Sequence, residues 1–417
     1  MRNIYTGIDF ASDGIKIVVS EIINNKFYIL ASTSTDFKSS GIRKGIIVDR
    51  QKTVESLNEA IKNIESTIGM RIKEAVVTIA SNSPQLSVVS GTVNVLNDEI
   101  TGDDISNSLS EATVNKVPEG MELLNVIPIT FEIDNTSSVT NPKGRRGQYL
   151  TVRAVMITVP RENLYSVLEV CNICDVKVSD ATFRTIGDYY EVKDNNTDKE
   201  VGAIIDIGED ITEISIFNKG IIIKSDIINL GNKNIDKDIS YIYGLDLSTS
   251  KEIKENFAVC SRKYADINDI INIDINSEGK EQLKINQYEV SEVVEARVSE
   301  LLKLAKKSIN NLTNRKISYI IVTGGITELT GFGYIVENVL GINATTLNIT
   351  TLGIRNNKYS AAIGIIKYFH EKLKLRDIDY TMFDDEKINA LMDSKKSLLN
   401  VNNDTLVSKI FDYFTGN

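Results

Sequence analysis

Tyr5-Thr6-Gly7-Ile8-Asp9-Phe10-Ala11-Ser12-Asp13 and Ala203-Ile204-Ile205-Asp206-Ile207-Gly208-Glu209-Asp210 carry the same pattern in two places. Each is a strand-like apolar run reaching an aspartate, with a small residue two positions later, Ala11 or Gly208, and then a turn. A second strand follows each turn, over 15–19 and 214–217, and the second unit continues into a third strand-like run over 220–229. One such unit is an ordinary hairpin with a capped aspartate. Two, each opening one half of the chain, predict a duplicated domain. An aspartate at the end of a buried strand can hold a magnesium ion through water, while the backbone N–H groups of the turn face phosphate oxygens. The predicted phosphate contacts are therefore Ala11, Ser12, Asp13, Gly208, Glu209 and Asp210, with Asp9 and Asp206 near the metal.

Around the first hairpin, residues 4–10, 14–22 and 27–33 read as strands broken by Asp-Gly and Asn-Asn turns. Val54, Leu57, Ile61, Ile64 and Ile68 recur at helical spacing, and 75–80 returns to strand. Strand, helix and strand in succession predict an α/β layer. Residues 84–159 differ: strands over 86–96, 123–133 and 149–159, a helix capped by Asp103 or Asp104, and a polar turn region over 135–147 predict a small α+β insert. Further on, strand 317–322 runs into Thr323-Gly324-Gly325-Ile326, where paired glycines let a flat ring approach the backbone.

The chain has 417 residues, 42% apolar and 25% charged, with a net charge of −10. That composition excludes a disordered, collagen-like or disulfide-scaffold protein. Clustered Lys and Arg are missing apart from Lys143, Arg145 and Arg146, which argues against a nucleic-acid partner. Cys171 and Cys174 fall at helical spacing in an apolar stretch and read as core residues rather than a zinc or redox pair. The single histidine, His370, reads as a surface residue without triad partners. No secretory leader and no run of ~18 apolar residues are present, so a cytoplasmic protein is expected.

These motifs, in this order, resemble the actin-like ATPases and, within them, the FtsA family of bacterial cell-division proteins. Ser250-Lys251-Glu252-Ile253-Lys254 is similar to the family's helix beside the ribose and base. Asn141-Pro142-Lys143-Gly144 resembles a loop of its inserted subdomain, and Tyr359-Ser360-Ala361-Ala362-Ile363-Gly364 resembles its closing helix. The resemblance implies an α/β fold of two actin-like lobes with an inserted α+β subdomain and a C-terminal amphipathic helix. It implies a first lobe from 1–83, 160–196 and 355–375, and an insert over 84–159. The second lobe would take 197–230 and 308–354 with an outer subdomain at 231–307. A flexible linker over 376–403 and a membrane-targeting helix over 404–417 would follow.

The implied ligands are ATP or ADP with Mg²⁺, with Glu252, Lys254, Gly324, Gly325 and Ile326 around the adenosine. The implied role is a polymerising adaptor that tethers FtsZ filaments to the cytoplasmic face of the membrane at the division septum. Its partners would be FtsZ, further copies of itself, membrane lipid and later divisome proteins. In the membrane helix, Leu406, Val407, Ile410, Phe411 and Phe414 form one apolar face. The alternatives are a PilM-like pilus-assembly homologue, or a kinase or chaperone of the same superfamily. The second hairpin departs from the family's Asp-x-Gly-Gly-Gly-Thr by carrying Glu209, Asp210 and Ile211, and the first has Ala11 where glycine is usual. Carboxylates beside a triphosphate are unfavourable, so at most a slow ATPase, or a pseudo-ATPase scaffold, is expected.

Overall fold

The computed structural model describes residues 3–35, 41–97, 99–274 and 282–383. Three strands, β1 (Asn3–Ala11), β2 (Gly14–Ile23) and β3 (Lys26–Ser34), open the chain as an antiparallel meander. The first two are buried along nearly their whole length, as their unbroken β-branched runs predict. A short clip, β4 (Ile42–Arg43) with β5 (Ile46–Ile47), leads to α1 (Arg50–Ile68) and β6 (Glu74–Ile79). Asp49 caps α1 through the Lys52 N–H, Gly69 closes it in the left-handed conformation, and Leu57, Ala60 and Ile64 are buried from it.

The next segment builds a separate sheet. Strands β7 (Gln85–Asn94), β8 (Met121–Ile133), β9 (Ser137–Val139) and β10 (Tyr149–Pro160) lie in the order β7-β10-β8-β9, with α2 (Gly102–Glu111) packed on one face. Its core of Val89, Ile105, Leu109, Phe131, Leu150 and Val152 is distinct from the cores of the two large sheets. The cap of α2 is Thr101, which exchanges hydrogen bonds with Asp104 in a capping box, rather than Asp103 or Asp104 themselves. Within the polar stretch expected to be only a turn region, β9 pairs with β8 because Ser137–Val139 continues the hairpin ladder.

Three elements then return to the first sheet: α3 (Arg161–Ile173), β11 (Lys177–Phe183) and α4 (Arg184–Val192). The second half repeats the pattern with β12 (Val201–Ile207), β13 (Thr212–Asn218) and β14 (Ile221–Ile228). It continues through α5 (Lys233–Tyr243), α6 (Leu247–Asn256), the hairpin β15 (Ile270–Asp274) and β16 (Gln282–Asn286), and α7 (Gln287–Leu312). It finishes with β17 (Tyr319–Thr323), α8 (Phe332–Leu340) and β18 (Ala344–Thr346), and α9 (Ser360–Leu375) crosses back to the first sheet.

The two large sheets have matching orders, β11-β6-β1-β2-β3 and β14-β13-β12-β17-β18. In each, an antiparallel meander takes two parallel strands beside its first strand. Helices α4 and α9 cross where Gly187 faces Gly364; a Cβ on Gly364 would come within 1.7 Å of the Gly187 carbonyl oxygen.

Some details differ from the sequence reading. Residues 376–383, assigned to a flexible linker, dock on β1: the Met382 N–H donates to the Ile4 carbonyl at 3.0 Å, and Met382 and Phe383 are buried. His370 is half-buried between the rings of Tyr5 and Phe27, and burial lowers its pKa. Cys171, by contrast, is fully buried as its reading as a core residue predicts, which pushes its thiol up to about 12.

Candidate functional site

The turns of the two hairpins face one cavity of about 370 Å³ between the sheets. Asp13 lines it from the first turn; Asp206, Gly208 and Glu209 line it from the second; Gly324, Gly325 and Ile326 form another wall. The turn after β17 can approach this closely because Gly324 adopts φ +109°, and a Cβ there would lie 2.2 Å from the Ile207 carbonyl oxygen. Gly325 has open space where a side chain would be.

Other expected residues lie elsewhere. Ala11 is buried at the strand end, and neither it nor Ser12 forms part of the cavity wall. The Asp210 carboxylate turns to the first half of the molecule, accepting the Lys44 N–H at 3.2 Å, with Lys233 at 3.9 Å. On α6 the expected Lys254 does line the wall, together with Lys251 and Glu255, whereas the exposed Glu252 is off it. Lys254 is 1% exposed and ion-paired with Asp236 at 2.6 Å. Leu406, Val407, Ile410, Phe411 and Phe414 lie outside the described residues.

Two cationic residues not singled out from the sequence stand beside the two hairpin turns. Lys16, 3% exposed, stands directly opposite Asp9 in the β1–β2 ladder and is ion-paired with Asp13. Burial alone would raise the Asp13 carboxyl, but the Lys16 ammonium more than offsets it and holds it below the ordinary value. Arg184, the first residue of α4, has Nε 3.0 Å from Asp9 and Nη2 3.4 Å from Asp206. Asp9 Oδ1 also accepts from the Thr78 hydroxyl at 2.7 Å, so its orientation is fixed from two sides. Burial opposes the charged guanidinium, yet Asp206, Asp9 and Glu213 hold its pKa well above the usual arginine value.

The expected magnesium site between Asp9 and Asp206 does not suit the residues found there. Mg²⁺ requires oxygen ligands near 2 Å in octahedral order, whereas the Arg184 guanidinium already lies between these two carboxylates. A divalent ion ~4 Å from that charge would be repelled by about 8 kcal/mol at an effective dielectric near 20. Among the described residues no group of three or more His, Cys, Asp or Glu could hold a metal ion.

The surrounding acids are shifted towards neutrality. Burial, reinforced by Asp206, raises Asp188 well above its ordinary value, and Ser360 donates to it at 2.5 Å. Burial likewise raises Asp206 despite Arg184. It pushes Glu209 up to about 7, although Lys254 and Lys251 pull the other way. It does the same to Glu213, also to about 7, against the pull of Arg184. The second turn is tethered to the outer helices, since the Asn232 and Lys233 N–H groups donate to the Gly208 and Glu209 carbonyls at 2.8 and 2.9 Å. Chemically, the cavity is a glycine-walled, partly neutralised anion cleft.

Comparison with known proteins places this architecture. The family model for "Cell division protein FtsA" matches residues 203–364, and that for "SHS2 domain inserted in FTSA" matches 82–158, together more than half of the chain. The chain is 27% identical to Cell division protein FtsA of Bacillus subtilis (strain 168) over 375 residues, covering 88% of this chain and 83% of the relative. Among solved structures, a chain of a PilM–PilN type IV pilus biogenesis complex matches with TM-score 0.58 at 13% identity, covering 87% of this chain and 97% of that one. MreB5 of Spiroplasma citri bound to AMPPNP matches with TM-score 0.54, also at 13% identity, covering 89% and 97%. The structural matches establish the actin-like fold alone. Together with the sequence matches, they make this chain a member of the FtsA family of actin-like cell-division proteins.

Proposed function

We propose that this cell-division protein is a polymerising adaptor that tethers FtsZ filaments to the cytoplasmic face of the membrane at the septum. A nucleotide, ATP or ADP, sits in the cleft between its two sheets. Asp13, Gly208 and Glu209 lie at its phosphate end, with Gly324, Gly325 and Ile326 against the base. The observation that carries the divisome reading is the insert: the residues matched as the FtsA-specific SHS2 domain form a separate four-stranded sheet with a core of its own. A kinase or chaperone of the superfamily is not favoured, because the family models matched are those of FtsA and of the domain inserted in it.

Attachment is assigned to Leu406, Val407, Ile410, Phe411 and Phe414, whose helical spacing in the sequence puts them on one apolar face. A single short face binds weakly, and polymerisation supplies the avidity. The test is co-sedimentation of FtsZ polymer with phosphatidylglycerol-containing vesicles in the presence of the full chain. FtsZ should pellet with vesicles only when the chain is added, and Phe411→Asp should abolish this while the melting temperature stays unchanged. Retention of FtsZ by the Phe411→Asp variant would refute the tether; a PilM-like role would leave FtsZ in the supernatant with both proteins.

A further inference from the structure

We propose that the Arg184 guanidinium serves this cleft as a built-in cation in the place of a divalent metal, so that its nucleotide is held without Mg²⁺. The inference rests on the nucleotide reading above and concerns the chemistry of the same site. The position of Arg184 is costly on local grounds. It is the first residue of α4, where the helix dipole favours anions and disfavours cations. The carboxylates it pairs with come from separate strands in opposite halves of the chain, Asp9 on β1 and Asp206 on β12, and Asp188 on α4 itself also feels its charge. Glu213 on β13 and Asp13 in the first turn add to the same field.

The guanidinium also lies beneath the second turn, where a Cβ added to Gly208 would be 3.7 Å from Arg184 Nη1. It therefore occupies the junction of both hairpins, from which a metal would have to bridge them. Lys16, paired with Asp9 in the β1–β2 ladder and ion-paired with Asp13, supplies a second positive charge. Two fixed cations thus stand against Asp9 and Asp13, with Asp188 and Asp206 shifted towards neutral. The guanidinium supplies positive charge at the place a divalent ion would otherwise take. A planar, permanently charged group that spans two carboxylates suits this junction better than an ammonium would.

The experiment uses the full-length chain. Binding of Mn²⁺ alone is followed by electron paramagnetic resonance, and binding of ATP by calorimetry, once in EDTA and once in excess Mg²⁺. The wild type should take up no Mn²⁺ at about millimolar concentration, and its ATP affinity in the two buffers should agree within about threefold. Arg184→Gln, which leaves the two carboxylates without their cation, should acquire roughly one Mn²⁺ per chain and make ATP binding metal-dependent by about tenfold or more. Mn²⁺ uptake by the wild type, or a loss of ATP affinity of about tenfold in EDTA, would overturn the proposal. A folded Arg184→Gln that takes up no Mn²⁺ would also overturn it. The wild-type arms decide the matter even if that variant does not fold. Absence of ATP binding in both buffers would remove the nucleotide reading alone, and the Mn²⁺ result would still decide whether the guanidinium has displaced a metal.

Discussion

The two hairpins hold equivalent positions in sheets of matching order and share Arg184, yet what faces the buried aspartate across each ladder differs in charge. In the first, Asp9 faces Lys16 across the ladder, and a two-residue turn carries Asp13 back to that lysine. In the second, the residue facing Asp206 is Glu213, another acid, and the turn is four residues long with Glu209 buried in it. Like charges opposite one another destabilise a ladder. The second hairpin therefore relies on Arg184 from outside, with burial raising the pKa of its acids, while the first shares Arg184 and adds Lys16 from its own ladder. Duplication has preserved the backbone and redistributed the charge.

The largest expected contrast concerns the turns. Gly14 adopts φ +139°, and a Cβ there would lie 2.3 Å from the Thr35 carbonyl oxygen, whereas a Cβ at Gly208 would meet Ile211 O at 3.1 Å. Gly14→Ala should cost about 4 kcal/mol and Gly208→Ala less than about 1 kcal/mol in denaturant unfolding. Similar losses at both sites would break the comparison at its geometric root. The next contrast is ionic. Lys16→Met should cost roughly 3 kcal/mol, the lower end for breaking a buried pair, because Asp13 still reaches solvent. Glu213→Gln should change stability by less than about 1 kcal/mol at pH 6, where the native carboxyl largely retains its proton and the amide oxygen can still accept from Ser81.

A smaller effect sharpens the same distinction. Folded Glu209 and Glu213 keep their protons to about pH 7, whereas the unfolded groups lose theirs near 4.5. The folded state then binds more protons in this window, so their contribution to stability falls as pH rises from 4.5 towards 7. Lys254, Lys251, Asp236 and Asp13 face Glu209, and Arg184, Asp206 and Ser81 face Glu213. The paired substitution Glu209→Gln with Glu213→Gln should flatten this dependence, read as a drift of a few degrees in melting temperature. An unchanged pH profile in that double variant would show that the second hairpin is not neutralised by protons.

The hairpins were legible because unbroken β-branched runs and an Asp-Gly turn determine strand and turn locally. The insert was legible from its own run of strands, a capped helix and a polar turn region over 135–147. Lys16 had a signal, a lysine among the apolar residues Ile15, Ile17, Val18 and Val19 of the strand, and could have been found by asking what balances it. Arg184 had none: it is one residue after β11, and its carboxylates are remote in sequence, brought to it only by the parallel addition of β6 and β11 to β1 and by the meeting of the two sheets. Glu252 misled because the expected spacing placed the right residue types on α6 without fixing which face turns inward.

The central claim, that the cleft between the two hairpins holds a nucleotide, is tested most directly at Gly325, whose side-chain position is open space on the cavity wall. Calorimetric titration of ATP into the full chain at pH 6, beside Gly325→Asp at the same pH, is the decisive measurement. The account predicts saturable binding by the wild type and its loss in Gly325→Asp at an unchanged melting temperature. No binding by the wild type at about millimolar ATP, or equal binding by both proteins, would contradict it.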